Sequence, residues 1–236
     1  PFRNPYQTDT KLDARLADLR SMLQTPRARV RIVGSPGDGK TRTVLEAIRG
    51  TGMEAITLYA HQPQAVSGQL LQYLRNTPDA MCLLVVDESD DDTAEDLRSR
   101  CDTMPPGVKL IQIGVDASGR PQPDTVQVEG LTEELLAKTI NAITPGLPEE
   151  VVREIAGVCE RSPKLAVLIA KRIIQDPSLL SPSRRLQDRK IQSVLERYLD
   201  IGDEDLFALS AVALLERVGW TGQVEQESVV LYEALV

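Results

Sequence analysis

The distribution of apolar and polar positions changes near residue 129. Before that point, short apolar runs typical of buried strands alternate with stretches in which apolar residues recur at helical spacing. The predicted strands are Val30–Val33, Ala55–Tyr59, Met81–Val86, Lys109–Ile113 and Thr125–Val128. The predicted helices are one built on Leu12 to Leu23, then Thr43–Ile48, Ala65–Arg75 and Thr93–Cys101. This alternation predicts an α/β fold, with a five-stranded parallel sheet covered by helices on both faces.

From residue 129 onward the pattern indicates helices alone. The predicted helices are Thr132–Ile143, Pro148–Cys159, Pro163–Gln175, Lys190–Leu199, Glu204–Arg217 and a last one from about Gln226. Asp176–Ser183, which contains two Pro-Ser pairs, is predicted to be a connector. We therefore divide the chain into an α/β core (1–128), a helical part (129–180) and a terminal unit (186–236). The apolar positions from Leu206 to Trp220 fit a small helix-turn-helix core.

Composition and charge fit a soluble protein. The 236 residues are 42% hydrophobic and 26% charged, and the formal net charge of −8 argues against a chain that mainly coats nucleic acid or an anionic membrane. No apolar run approaches the roughly 18 residues that cross a bilayer, and no signal peptide opens the sequence, so we expect no membrane partner and a cytoplasmic location. Cys82, Cys101 and Cys159 lack metal-binding spacing and are predicted to be buried.

The two ends of the sequence carry no start or stop signal. The first residue is Pro1 rather than Met, and the last residues, Leu231 to Val236, end within a helix-like pattern. From this we expect the chain to be a piece of a larger protein.

One segment matches the phosphate-binding pattern G-x-x-x-x-G-K-[ST] at every fixed position. It consists of Gly34, Ser35, Pro36, Gly37, Asp38, Gly39, Lys40 and Thr41, and it lies between a predicted strand and a predicted helix, as the pattern requires. Its N–H groups can bind the β-phosphate, Lys40 can reach the β- and γ-oxygens, and the Thr41 hydroxyl can ligate Mg²⁺. We therefore predict a site for ATP or ADP with Mg²⁺, to which we also assign Arg42. A Gly-rich turn without function is the weaker alternative.

Two acidic residues end the apolar strand Met81–Val86. Asp87 is placed to complete the Mg²⁺ site opposite Thr41, and Glu88 to orient and deprotonate an attacking water. The acidic positions from Asp90 to Asp96 have the simpler interpretation of a solvated loop that caps the next helix. That interpretation also remains open for Asp87 and Glu88. The loop upstream favours a catalytic site with Lys40 and Glu88 as its catalytic residues.

With these two motifs, known as Walker A and Walker B, the chain resembles AAA+-related P-loop ATPases, and specifically the STAND class of signal-transduction ATPases. The resemblance covers nearly the whole chain. It implies a P-loop NTPase core, a helical lid over 129–180 and a winged-helix-like unit over 186–236. Arg161-Ser162-Pro163 then corresponds to the family's Gly-x-Pro segment, with Pro163 near the adenine and Arg161 in place of the usual glycine. A serine followed by proline is also what any helix start favours.

Three positions depart from the pattern of the family. The predicted strand Lys109–Ile113 and the following residues to Asp116 offer no polar sensor for the γ-phosphate. STAND proteins often carry an arginine at this strand end, but the nearest one is Arg120, which is either a phosphate ligand or a loop cation. The winged-helix histidine of many relatives is absent, since the only histidine is His61, interpreted as a loop cap.

The resemblance implies a switch. ATP binding would open the module and drive homo-oligomerisation, with effector and sensor domains outside this chain, as in prokaryotic antiviral defence or transcriptional control. We expect this chain alone to be a monomer with ADP or no nucleotide, and a slow ATPase.

Two other functions share the phosphate-binding loop. The first is an AAA+ DNA-associated ATPase of the origin-recognition or clamp-loader kind. Ten acidic and only four basic side chains from Leu186 to Val236 disfavour nucleic-acid binding. The second is a small-molecule kinase, which the water-activating position of Glu88 and the helical lid disfavour.

Overall fold

The computed structural model describes residues 6–115, 124–159 and 161–175. Arg120, the connector and the terminal unit over 186–236 lie outside the described residues. The helices are α1 (Thr10–Gln24), α2 (Lys40–Ile48), α3 (Gly68–Asn76), α4 (Asp91–Asp102), α5 (Glu133–Ile143), α6 (Glu149–Val158) and α7 (Pro163–Gln175). The strands are β1 (Arg29–Val33), β2 (Thr57–Ala60), β3 (Cys82–Val86), β4 (Val108–Gly114) and β5 (Thr125–Gln127). Short 3₁₀ turns at Met53–Ile56 and Pro63–Ala65 flank β2.

The five strands form one parallel sheet in the order β2-β3-β4-β1-β5. This confirms the predicted α/β fold with a five-stranded parallel sheet. Strand β4 lies between β3 and β1, with Val86 opposite Gln112 and Val33 opposite Gly114. The carboxyl ends of β3, β4 and β1 therefore lie side by side. In open parallel sheets this edge is where ligands bind.

Helices cover both faces of the sheet, as predicted. Strand β3 shows why, because all five of its residues are buried and successive side chains point to opposite faces. Leu83 and Val85 pack with apolar residues of α1 and α2 in one cluster. Cys82, Leu84 and Val86 pack with α3 and α4 in a second cluster on the other face. All three cysteines are free and buried, also as predicted.

The part after residue 129 has a hydrophobic core of its own. Helices α5, α6 and α7 match the predicted segments to within a residue or two, and their apolar faces pack together around Ile140, Ile155 and Ile169. The described residues thus include an α/β core followed by a three-helix unit, which we call the lid.

Among the strands, β2 differs most from its predicted bounds, and helices α2 and α3 each begin three residues from their predicted starts. The segment predicted to begin the strand, at Ala55, belongs to a 3₁₀ turn, and pairing with β3 runs from Thr57 to Ala60. Leu58 and Tyr59 are exposed on this edge strand, so its sequence shows no clear alternation of buried and exposed residues. Its position in the sheet is fixed by pairing, and pairing is a tertiary interaction.

Candidate nucleotide-binding site

The phosphate-binding loop connects β1 to α2, in the context that the motif requires. Gly37 and Gly39 both have φ +89°, a left-handed conformation that favours glycine, and Gly39 caps α2. The Asp38 carboxylate accepts a hydrogen bond from the Ser35 N–H at 2.8 Å, which holds the loop from within. Because α2 begins at Lys40, its first N–H groups and its positive dipole end face the loop. This is a site built for an anion.

Lys40 lies within the loop. Its ammonium donates to the Gly34 carbonyl at 2.8 Å and to the Ser35 carbonyl at 3.0 Å. Burial lowers the pKa of Lys40, while the nearby carboxylates of Asp38 and Asp87 act in the opposite direction. The cation is thus held where phosphate oxygens would meet the loop.

Asp87, the first residue after β3, is fixed by three donors. Its Oδ2 accepts hydrogen bonds from the Thr41 hydroxyl at 2.7 Å and from the Tyr59 hydroxyl at 2.8 Å. Its Oδ1 accepts from the Glu88 N–H at 2.9 Å. Burial, followed by the hydrogen bond to Asp87, raises the pKa of Tyr59, so the phenol remains a donor at neutral pH. The predicted meeting of Thr41 and Asp87 is therefore present.

The donor set around Asp87 suits Mg²⁺ bound together with a nucleotide. Mg²⁺ uses one or two carboxylates plus phosphate oxygens and keeps several waters, rather than an all-protein cage. Thr41 and Asp87 supply a hydroxyl and a carboxylate 2.7 Å apart at the phosphate-binding loop. The part of the chain that the structure describes holds no cluster of three or more His, Cys, Asp or Glu side chains able to bind a metal. These residues fit a metal whose other ligands come from ATP.

Glu88 follows Asp87 in a left-handed conformation, φ +52°, which is uncommon for a residue with a side chain. Two contacts next to it hold this turn. The Ser89 N–H donates to the Ile113 carbonyl at 2.9 Å, and a Cβ at Gly114 would lie 2.1 Å from the Ser89 oxygen, so only glycine fits there. The Glu88 side chain is half exposed rather than buried in the core.

The acidic positions that follow have structural partners. Asp90 caps α4 through the Thr93 N–H at 2.7 Å, Asp91 pairs with the buried Arg31, and Asp96 pairs with Arg100. These contacts agree with the interpretation of a helix-capping acidic loop for this stretch.

The edge strand β2 brings two more residues to the Walker B acids that sequence reasoning had missed. His61 Nε2 lies 3.6 Å from Glu88 Oε1, and the Gln62 amide donates to Glu88 Oε2 at 3.4 Å. Tyr59, whose hydroxyl donates to Asp87, is a third residue that sequence reasoning had missed. His61 therefore lies beside a site residue, although its sequence position had suggested a loop cap. The only sequence signal was that these residues end a strand; their nearness to Asp87 and Glu88 depends on β2 pairing with β3.

The first turn of α7 packs against the phosphate-binding loop. A Cβ on Gly37 would lie 3.2 Å from Ser162 Oγ and 3.3 Å from Lys164 Cβ, and one on Gly39 would lie 3.7 Å from Pro163 Cγ. Pro163 is the first residue of α7, as predicted, and it also lies beside the loop. Lys164 was missed. A signal for it existed, because a cation in the first turn of a helix is disfavoured by the helix dipole unless an anion is near.

Arg161 and Glu129 connect the lid to the core. Arg161 has φ +76°, the left-handed conformation that the family's glycine would adopt easily. Its carbonyl accepts from the Leu131 N–H at 2.9 Å, and Glu129 accepts from Lys11 at 2.8 Å and from Arg161 at 3.3 Å. A cleft beside this junction is lined by Asp9, Lys11, Arg15, Glu129 and Arg161.

Arg42, which the sequence assigned to the nucleotide site, contacts Glu46 on its own helix, α2, and the ring of Tyr6. Its guanidinium pairs with Glu46 at 2.8 Å and lies over the Tyr6 ring, 5.3 Å from the centroid. It joins α2 to the residues before α1.

Comparison with known proteins identifies the fold. No family model matches the sequence, and no curated protein matches it. Among solved structures, a Thermotoga maritima RuvB A156S mutant is similar with a TM-score of 0.62 and 17% identity, over 98% of this chain and 82% of that chain. Drosophila ORC bound to DNA is similar with a TM-score of 0.55 and 17% identity, over 95% of this chain and 72% of that chain. Cdc6p from Pyrobaculum aerophilum is similar with a TM-score of 0.56 and 16% identity, over 87% of this chain and 72% of that chain.

These neighbours are AAA+ P-loop ATPases, and the chain has the fold of that class. The identities are low, so the likeness concerns the fold. Within the described residues, no helix is long and apolar enough to cross a membrane.

Proposed function

We propose that this chain is a Mg²⁺-dependent ATP-binding and ATP-hydrolysing module of the AAA+ kind, and that it works as the nucleotide-controlled switch of a STAND-type regulatory ATPase. One observation carries the proposal. The Thr41 hydroxyl of the loop and the Asp87 carboxylate of β3 lie 2.7 Å apart, although 46 positions separate them in sequence. This proximity supports the assignment of the two segments to one P-loop active site.

Each residue has a role in this proposal. The loop amides and Lys40 bind the phosphates, while Thr41 and Asp87 hold Mg²⁺, which neutralises phosphate charge and orients the oxygens. Glu88 orients the attacking water and accepts its proton. Pro163 and Lys164, which the lid places against the loop, would contact the nucleotide from the other side. Closure of the lid would then depend on the bound nucleotide.

The switch hypothesis adds a regulatory role to ATP binding and hydrolysis. In this hypothesis the ATP-bound form opens and homo-oligomerises, and effector and sensor domains act through it in signal transduction such as antiviral defence. The net charge of −8 and the acidic residues 186–236 support it over a DNA-associated machine.

One observation favours the alternative function, a DNA-associated AAA+ ATPase. A similar structure is that of Drosophila ORC bound to DNA. A gel shift of this chain with duplex DNA, with and without ATP, separates the two. Salt-dependent binding would favour the alternative, and no shift at low salt would favour the switch.

The site assignment is tested by Lys40→Ala. Removing the ammonium should abolish binding of a fluorescent ATP analogue while the circular dichroism spectrum stays unchanged, since the hydrogen bonds of Lys40 to described residues go to loop carbonyls. Lys138→Ala is the matched control, because this lysine is exposed on the lid and pairs with Glu134. Micromolar affinity retained in Lys40→Ala would show that nucleotide binds elsewhere.

A further inference from the structure

The phenol of Tyr59 shares an oxygen with the Walker A threonine. Asp87 Oδ2 accepts from Tyr59 at 2.8 Å and from Thr41 at 2.7 Å, while Oδ1 accepts from the Glu88 N–H at 2.9 Å. Donors from β2, from α2 and from the backbone thus act on one carboxylate. Together they fix both its position and the rotation of its plane.

The register of the sheet places Tyr59 within reach of Asp87. Ala60 is paired with Val86, and the Asp87 N–H donates to the Ala60 carbonyl at 2.9 Å, so the ladder continues one step beyond β3. Asp87 is therefore held directly beside the end of β2, within reach of Tyr59. Tyr59 as a residue is 53% exposed and contributes little to the core. What the side chain adds at this place is its hydroxyl group.

We propose that Tyr59 is a positioning residue for Asp87, and that its hydroxyl sets the Mg²⁺ dependence of nucleotide binding. This inference rests on the proposed function. Groups that hydrogen-bond a metal ligand hold it in its binding orientation, and their loss typically weakens metal binding by about 10- to 100-fold. Tyr59 touches neither the loop nor Lys40 through any of the hydrogen bonds described above, so it acts through Asp87.

A competing effect would change Mg²⁺ binding in the opposite direction. A phenol that occupies a carboxylate lone pair could instead compete with the metal, and its removal would then strengthen Mg²⁺ binding. The geometry argues against competition. Each of the two Asp87 oxygens has two lone pairs, so with two donors on Oδ2 and one on Oδ1 the carboxylate keeps one acceptor site, on Oδ1.

The test is Tyr59→Phe, with Tyr73→Phe as the matched control. Tyr73 lies on α3 and is 67% exposed, so this control makes the same chemical change away from the site. Binding of a fluorescent ATP analogue is measured in EDTA and then across a Mg²⁺ titration. In EDTA, Tyr59→Phe should bind like the unaltered chain, because Lys40 and the loop amides are untouched. The Mg²⁺ concentration at half-effect should rise by about tenfold.

A double variant shows whether Tyr59 acts through Asp87. In an Asp87→Ala background the titration is already altered, and adding Tyr59→Phe should change it no further, because coupled residues are not additive. An additive second loss would overturn the inference.

The failures are distinguishable. A Tyr59→Phe titration that is unchanged, or shifted to lower Mg²⁺, overturns the role of Tyr59 and leaves the proposed function in place. If the unaltered chain binds the nucleotide no better than Lys40→Ala does, the proposed function itself fails, and the role of Tyr59 fails with it.

Discussion

At the scale of single residues, Glu88 combines a half-exposed side chain with a left-handed backbone conformation that is uncommon outside glycine. Glu88→Gln should preserve affinity for Mg²⁺-ATP and depress hydrolysis by roughly 10²- to 10⁴-fold, because the amide keeps the shape of the side chain and loses the base. Single-turnover phosphate release measures the change. An unchanged rate would assign Glu88 to the acidic capping loop.

Residues in contiguous motifs could be found from sequence, and residues brought together by pairing could not. Lys40, Thr41 and the acids after β3 follow from motif spacing, because a strand, a loop and a helix start fix their positions locally. Tyr59 and His61 come to the site through the pairing of β2 with β3, and Lys164 through the docking of α7 on the loop. Neither contact leaves a periodic trace in the sequence.

At the scale of elements, capping decides where α4 begins, and with it where the Walker B turn ends. Asp90 accepts from the Thr93 N–H, and hydrogen bonding with the side chain and then the backbone of Thr93 holds the pKa of Asp90 below its ordinary value. Asp90→Ala should lower the free energy of unfolding by about 1 kcal/mol at neutral pH. Denaturant unfolding monitored by circular dichroism measures it.

The pH dependence of the Asp90 effect has a definite sign. A carboxyl whose pKa is lower in the folded state stabilises fully above its unfolded pKa, about 3.9, and loses that contribution as the pH falls through the folded value. The difference between Asp90→Ala and the unaltered chain should therefore shrink below about pH 4. Asp90→Ser keeps a capping oxygen without the charge, so it should cost little stability at any pH. Equal stability of Asp90→Ala and the unaltered chain at pH 7 would show that the Asp90 cap does not stabilise the protein.

Helix boundaries followed from sequence better in the lid than in the core. Thr132 caps α5, and α7 begins at the predicted Pro163, so these starts carry their own chemical signals. Strand β2 has no such signal. Its sequence predicted a start at Ala55, whereas the strand begins at Thr57. The prediction of a parallel five-stranded sheet followed from the alternation of strands and helices.

At the scale of the whole molecule, the described residues of the lid contact the core at the junction and at the phosphate-binding loop. Lys11, Glu129 and Arg161 form ion pairs at the junction, and Ser162, Pro163 and Lys164 lie against the loop. The exposed ion pairs contribute little to stability. Within the lid, Gly130 packs tightly, since a Cβ there would lie 2.3 Å from the Arg161 oxygen. The contacts of Ser162, Pro163 and Lys164 with the loop join the lid to the core, and a nucleotide at the loop would touch both units.

This arrangement leads to a prediction for the isolated chain. We expect a monomer with ADP or no nucleotide, and a slow turnover of ATP, because β4 ends in Gly114 without a polar sensor side chain. An arginine supplied by a neighbouring subunit accelerates related phosphoryl transfer by about 10³- to 10⁵-fold. A chain without that neighbour should therefore be nearly inactive, even with Lys40 and Lys164 in place. Light scattering and phosphate release across a concentration series measure both properties. Turnover that rises with association would support a shared active site, whereas a monomer turning over at several ATP per second would contradict the switch and indicate a self-sufficient ATPase.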